Sequence, residues 1–369
     1  MKHLAEYRNP ELVEKYLAEI KKVVSKPWSI MEVCGGQTHS LVKHGIVRLL
    51  PDEINMIHGP GCPVCVTPLS LIDKAVHLAL NHNVTLCSFG DMLRVPGSTK
   101  SLLQAKAEGA DIRILYSPLE AVTIATENPD LEVVFFAVGF ETTAPANALS
   151  VMRAAELGLD NYSILTSHVL VPPAMEAVLN DPDCRIDAFL AAGHVCTIMG
   201  ISEYYPIIEK YQVPIVVTGF EPVDLLHGIL LAVNQLERGE AKLENQYTRI
   251  VRPEGNLNAK NVIEKAFEIH DREWRGIGNI SHSGYELRDA FSSYNANIKY
   301  QIDIPKAEES SICIAGDVLK GIKKPYQCSA FGKECTPQSP QGAPMVSSEG
   351  ACAAYYHFSN INQPELSQD

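Results

Sequence analysis

The 369-residue chain has no apolar run of membrane-spanning length and no cluster of lysine and arginine. The first absence leaves no candidate transmembrane helix. The second, with 31 Lys and Arg against 44 Asp and Glu and a formal charge of −13, argues against a duplex-binding surface. Nucleic-acid affinity rests on clustered cations that displace counterions. The amino-terminal stretch MKHLAEYRNPELVEKYLAEIKK scatters its charges and has no apolar core, so no secretory leader is expected. Also missing are the phosphate loop GxxxxGK(S/T), the dinucleotide fingerprint GxGxxG, HExxH and GxSxG, which leaves nucleotide-dependent and hydrolytic chemistry of the common kinds without support. Disorder is not expected except at the ends, such as 360–369, because 46% of the side chains are apolar and only 20% charged, enough for large cores in more than one domain. A cytoplasmic location follows as an expectation. In that reducing compartment the ten cysteines read as ligands, redox thiols or small buried hydrophobes, not as a disulfide framework.

Residues 11–26 place Leu12, Val13, Tyr16, Leu17, Ile20, Val23 and Val24 on one stripe of an amphipathic helix. From residue 28 short apolar runs alternate with helical stretches, and each run ends in a polar or glycine-containing turn. These are Ser29–Val33 before Cys34-Gly35-Gly36, Val84–Phe89 before Gly90-Asp91, and Leu131–Val138 before Gly139-Phe140-Glu141. Three more are Ser163–Thr166 before Ser167-His168, Ala188–Ala192 before Gly193-His194, and Pro214–Thr218 before Gly219-Phe220-Glu221. Near-continuous apolar strands alternating with helices predict an α/β fold with parallel sheets covered on both faces. Ligands of such sheets bind beyond the carboxyl ends of the strands, where all six turns project. The echo between VGFETT and TGFEPV suggests two α/β domains, 28–118 and 119–240, and the charged helices and cysteine-rich tail make 241–369 a third region, joined by 1–27.

Four late cysteines, Cys313, Cys328, Cys335 and Cys352, are spaced C-x14-C-x6-C-x16-C among glycines and prolines that let the backbone wrap around a small object. Such thiols suit a metal centre, and the spacing leaves zinc and iron–sulfur both open. Cys62 and Cys65 form a CxxC within GPGCPVC, a spacing that suits reversible disulfide formation or two ligands to one metal. Cys34 sits on a glycine turn at a strand end, where it reads either as a small buried hydrophobe or as a thiol that a helix amino terminus holds as thiolate. Asp91, Glu141, His168, His194, Glu221 and Asp224 could supply hydrogen bonds, proton transfer or ligands in a shared cleft, or serve as helix caps. Arg94 offers an anion contact or an ordinary ion pair. Cys87 lies in an apolar strand and reads as core, Cys184 as a loop thiol, and Cys196 follows His194 without deciding between the two.

The segments CGGQTH (34–39), GPGCPVC (59–65), FGDMLRVPGS (89–98), GFETTAP (139–145), GHVCTIMG (193–200) and GFEPVDLL (219–226), with the late cysteines, resemble the HypD family of [NiFe]-hydrogenase maturation proteins in identity and order over nearly the whole chain. The resemblance implies two α/β domains facing a cleft and a third domain carrying a [4Fe-4S] cluster. It further implies a scaffold on which an iron centre with cyanide and carbonyl ligands is assembled, with a HypC-like chaperone sharing the iron and a HypE-like protein delivering cyanide. Cys34 would then hold the iron, Cys62 and Cys65 would be the redox pair, and Cys313, Cys328, Cys335 and Cys352 would hold the cluster. His194 and Asp91, with Glu141 and Glu221 in the same cleft, would steer protons or ligands. Pro344 stands where many relatives carry a further cysteine. Two other functions fit parts of the pattern: a stand-alone iron–sulfur thiol-disulfide reductase, and a zinc-stapled interaction protein.

Overall fold

The structure, a computed structural model, describes residues 5–304 and 309–359; the terminus expected at 360–369 lies outside them. Eleven strands form among the described residues: β1 (Trp28–Glu32), β2 (Ile54–His58), β3 (Val84–Ser88), β4 (Ile112–Ile114), β5 (Glu132–Gly139), β6 (Tyr162–His168), β7 (Ala188–Ala192), β8 (Ile215–Thr218), β9 (Leu243–Asn245), β10 (Phe267–Trp274) and β11 (Gly278–Leu287). One sheet has the order β2-β1-β7-β8-β9 and a second the order β4-β3-β5-β6, with every neighbouring pair parallel. β10 and β11 make a separate antiparallel hairpin. The fold is α/β, as the strand pattern predicts.

The strands do not follow the division into 28–118 and 119–240. β1 and β2 pair with β7 to β9, while β3 and β4 pair with β5 and β6, so the chain leaves the first sheet after β2 and rejoins it at β7. Local sequence cannot register this, because a parallel strand's partner is set by nonlocal burial. β1 and β7 bury residues on both faces and need neighbours on both edges; Ala188 and Leu190 face one core, Phe189 and Ala191 the other. The VGFETT and TGFEPV turns consequently belong to different sheets, after β5 and β8. The six expected strand-end turns are shared three to each sheet.

Asn9 caps the helix Pro10–Val23 by accepting from the N–H groups of Glu11 and Leu12, and Pro10 occupies its first turn. The apolar stripe packs on the helix Pro222–Arg238, with Ile20 fully buried beside Leu225, Leu226 and Ile229. The segment after residue 309 has only short helices. The last, Ala351–Phe358, packs on Gly35–Lys43, the helix that begins at Cys34. The hairpin reaches the same region, since the Arg275 N–H donates to the Val66 carbonyl at 2.8 Å, one residue from Cys65. No helix of the described residues is long and apolar enough to cross a membrane.

Candidate functional site

Cys34 follows β1 and occupies the N-cap position of the helix Gly35–Lys43, in extended backbone conformation. Its N–H lies beyond the ladder and donates to Glu32 Oε2 at 2.9 Å. Glu32 is fully buried; its Oε1 also takes the Thr38 hydroxyl and stands 2.8 Å from His58 Nδ1. A helix N-terminus favours thiolate, as the sequence suggests, yet here burial wins. Cys34 is only 1% exposed. Burial pushes its thiol well above its ordinary value, the N–H groups of Gln37 and Gly36 act the other way, and Glu32 and Glu349 add to the rise. The resting group is a neutral thiol.

The GPGCPVC loop lies directly against this turn. The Gly59 N–H donates to the Glu32 carbonyl at 2.9 Å and the Gly35 N–H to the Gly61 carbonyl at 2.7 Å. A Cβ on Gly61 would stand 2.1 Å from the Cys34 nitrogen, so only glycine permits this approach. Cys62 and Cys65 follow at once and are joined as a disulfide. Cys62 caps the short helix Pro63–Val66, its sulfur accepting from the Cys65 N–H at 3.2 Å.

His194 enters from the end of β7 in the same sheet, with Nδ1 3.4 Å from Cys34 Sγ. Burial lowers its pKa to about 4, so at neutral pH the ring is uncharged. Phe220, from the turn after β8, packs with its ring tilted at 44° and 5.3 Å from the His194 ring and would lie 3.3 Å from a Cβ on Gly36. This residue, absent from the sequence expectations, closes the apolar side of the thiol. Gln37 ties the helix start to the sheet through Ala191 O and Thr218 Oγ1.

The other expected residues take different places. Glu221 forms a bidentate pair with Arg8, and Asp224, fully buried, forms one with Arg249 at 2.7 and 2.6 Å. The Arg249 guanidinium is sandwiched between Tyr7 and Tyr247, which leaves Asp224 as an anchor. Asp91 pairs with Arg94 at 3.0 Å, and Arg94 also reaches the Val346 carbonyl. Asp91 is near enough to Glu349, whose side chain abuts Gly35, to add to the upward shift that desolvation gives that carboxyl. His168 is fully buried, 2.9 Å from the Asn147 amide, and burial lowers its pKa to about 3. Cys87 and Cys196 are core thiols that burial pushes up to about 12, Cys196 donating to the Tyr204 hydroxyl at 3.7 Å. Cys184 is half-buried.

Glu141 accepts the Val171 N–H through Oε1 at 2.9 Å, while its buried Oε2 has no partner. No hydrogen bond or ion pair among the described residues joins it to Cys34 or His194. Burial raises this carboxyl from 4.5 to about 8. The folded state therefore keeps a proton that the unfolded chain releases, and the stability this gives is present below the ordinary value and lost as pH rises through the folded one. Glu141→Gln keeps the acceptor for Val171 and cannot ionise. It is expected to raise the melting temperature at about pH 8 and to add little at about pH 5; an equal change at both values contradicts this.

The four late cysteines line one cavity with Ile314, Ala330, Phe331, Gly342, Pro344 and Met345. Pro344 thus occupies the cavity wall. Gly342 lies so close that a Cβ there would stand 2.3 Å from Cys313 Sγ. Burial, then Cys313, Cys335 and Cys328, raises the Cys352 thiol well above its ordinary value, which reflects the mutual proximity of all four. As the side chains stand, no three His, Cys, Asp or Glu groups among the described residues converge closely enough to hold one ion. The cavity wall also meets the CxxC: Pro63–Val66 packs on the turn Ala343–Met345, and Val64 joins the core of Ala343 and Val346.

A family model described as "HypD: Hydrogenase formation hypA family" matches residues 11–359. The chain is 45% identical over 372 residues to the hydrogenase expression/formation protein HupD of Azotobacter chroococcum mcd 1, covering 98% of each. It is 45% identical over 377 residues to the hydrogenase maturation factor HypD of Rhodobacter capsulatus, with 99% of this chain and 100% of that protein covered. Against the hydrogenase maturation factor HypD of Escherichia coli K12 identity is 44% over 366 residues, 97% and 98% covered.

Proposed function

Because the chain belongs to the HypD family of hydrogenase maturation factors, we propose that it is the scaffold on which iron acquires cyanide and carbonyl ligands for a [NiFe]-hydrogenase. Cys34 is the residue that holds this iron, which is cargo; a cysteine of a HypC-like chaperone shares it and a HypE-like protein delivers cyanide. The observation that carries the reading is the meeting of Cys34, His194 and the GPGCPVC loop at the strand ends of one sheet.

Cyanide and carbonyl need a soft, electron-rich iron, which a thiolate provides. A cation displaces the proton of a ligating thiol, so the raised thiol of Cys34 becomes a thiolate when iron arrives. His194, held neutral, does not repel that cation and offers a nitrogen to orient the sulfur. Phe220 and the burial of the turn keep water away. Asp91, whose charge reaches Glu349, is assigned the steering of charged reactants.

The all-sulfur donor set in one largely apolar cavity supports a [4Fe-4S] cluster on Cys313, Cys328, Cys335 and Cys352, since in such a cluster each thiolate meets its own iron and none needs to share an ion. When bound, the cluster supplies electrons one at a time. Cys62 and Cys65 serve as the dithiol: reduction of their disulfide takes up two electrons and two protons, and reoxidation returns them to ligand transfer at Cys34. Metal and acid-labile sulfide analysis of the anaerobically purified chain tests the cluster, with about four of each expected. A colourless protein with zinc and no sulfide overturns it.

A further inference from the structure

The helix Ala351–Phe358 carries Cys352 in its first turn and Tyr355 in the next. The Tyr355 hydroxyl lies 3.2 Å from His58 Nε2, and the two rings meet edge-on at 5.4 Å. His58 in turn presents Nδ1 to Glu32 Oε1 at 2.8 Å, and Glu32 Oε2 takes the Cys34 N–H at 2.9 Å. Glu32, His58 and Tyr355 are 0%, 3% and 6% exposed. With the ring neutral, His58 Nδ1 donates to the Glu32 carboxylate and Nε2 accepts the Tyr355 proton.

The geometry points to Glu32, His58 and Tyr355 as positioning residues, a buried hydrogen-bonded chain that holds the Cys34 turn in shape only while the Cys352-bearing helix is seated. The thiol that takes iron is then set by loading of the four-cysteine cavity. This rests on the reading of Cys34 as the iron ligand and Cys352 as a cluster ligand.

Each buried group in the chain depends on the next, so a gap at Tyr355 leaves His58 Nε2 without a donor, and the loss passes to the carboxylate that fixes the Cys34 backbone. Glu32 gathers donors from three places, the Cys34 turn, the following helix and β2, and Tyr355 adds a fourth element more than three hundred residues away. Two further contacts join the same segments: His39 Nδ1 lies 3.0 Å from the Ser348 carbonyl, and Glu349 packs on Gly35. The C-terminal segment therefore closes around the Cys34 turn instead of merely covering it. Cys352 lies on the first turn of this helix and Tyr355 on the second, so a cluster held by Cys352 adds a tether one turn from Tyr355, beside the apolar packing of Ala353, Ala354 and Tyr355 against Val42.

The test follows alkylation of Cys34 by iodoacetamide, read by peptide mass spectrometry, on the full chain with its cluster intact and after chelation. In the parent protein cluster removal is expected to speed Cys34 alkylation about tenfold, the factor that corresponds to about 1.4 kcal/mol, the scale of one buried hydrogen bond. In Tyr355→Phe, with unchanged iron and sulfide content, the loaded protein is expected to react as fast as the cluster-free parent, and chelation to change nothing more. Should Tyr355→Phe take up no cluster, His58→Gln, outside the cysteine-bearing segment, is expected to give the same collapse of the ratio. A purely structural role would lower the melting temperature and leave the ratio intact. The inference is overturned if chelation leaves Cys34 reactivity unchanged in the parent, or if both variants keep the parent ratio. A purified protein without iron and sulfide overturns the cluster reading itself, which separates the two failures.

Discussion

Cys34→Ala is expected to abolish hydrogenase maturation in a strain that depends on this chain, while the protein still folds and keeps the iron and sulfide content of the parent. The sulfur is a small part of a large core, and its removal costs on the order of 1 kcal/mol, whereas the bond that shapes the turn comes from the Cys34 backbone and survives. Cys34→Ser is expected to fail equally, because a hard, weakly acidic hydroxyl does not replace a thiolate on iron that carries cyanide and carbonyl. Hydrogenase activity in the complemented strain, beside the melting curve and iron content of the purified variant, checks both points. Normal maturation by either variant contradicts the iron-holding role.

Cys62→Ser is expected to be nearly as severe for maturation and mild for stability. The disulfide joins residues three apart, and closing so short a loop removes only about 2 kcal/mol of unfolded-state entropy, well below the stabilisation given by a bridge across a long loop. A bridge that stabilises so little is poorly explained as a staple. Its position explains it better, since Gly61 lies on the Cys34 backbone and Pro63–Val66 packs on the turn that walls the four-cysteine cavity. Maturation and thermal melting measured on the same variant decide the matter: a large loss of melting temperature with normal maturation assigns the pair a structural role.

The apolar runs were legible because a strand buried on both faces needs an unbroken apolar segment, and β1, β3, β5, β6, β7 and β8 fall where the sequence places them. Their division between two sheets was not, because parallel pairing joins residues far apart, as in Ile30 with Ala188. The cysteine spacing indicated one centre, and the common cavity gathers all four. Glu221 sits at a strand-end turn as expected and Asp224 in the first turn of the helix Pro222–Arg238 that follows, yet two arginines distant in sequence claim them. Glu32 and His58 are site residues that the strand-end motifs do not point to. A carboxylate and an imidazole inside apolar strands just before CGG and GPG were a usable signal, since such groups are buried only with partners. Tyr355, 297 residues from His58, had no local mark at all.

The central claim is tested most directly by the infrared spectrum of the protein purified anaerobically together with the proposed HypC-like chaperone from cells assembling a [NiFe]-hydrogenase. The scaffold account predicts cyanide and carbonyl stretches from iron bound to the complex. A complex with its iron–sulfur cluster fully loaded and no such bands contradicts it.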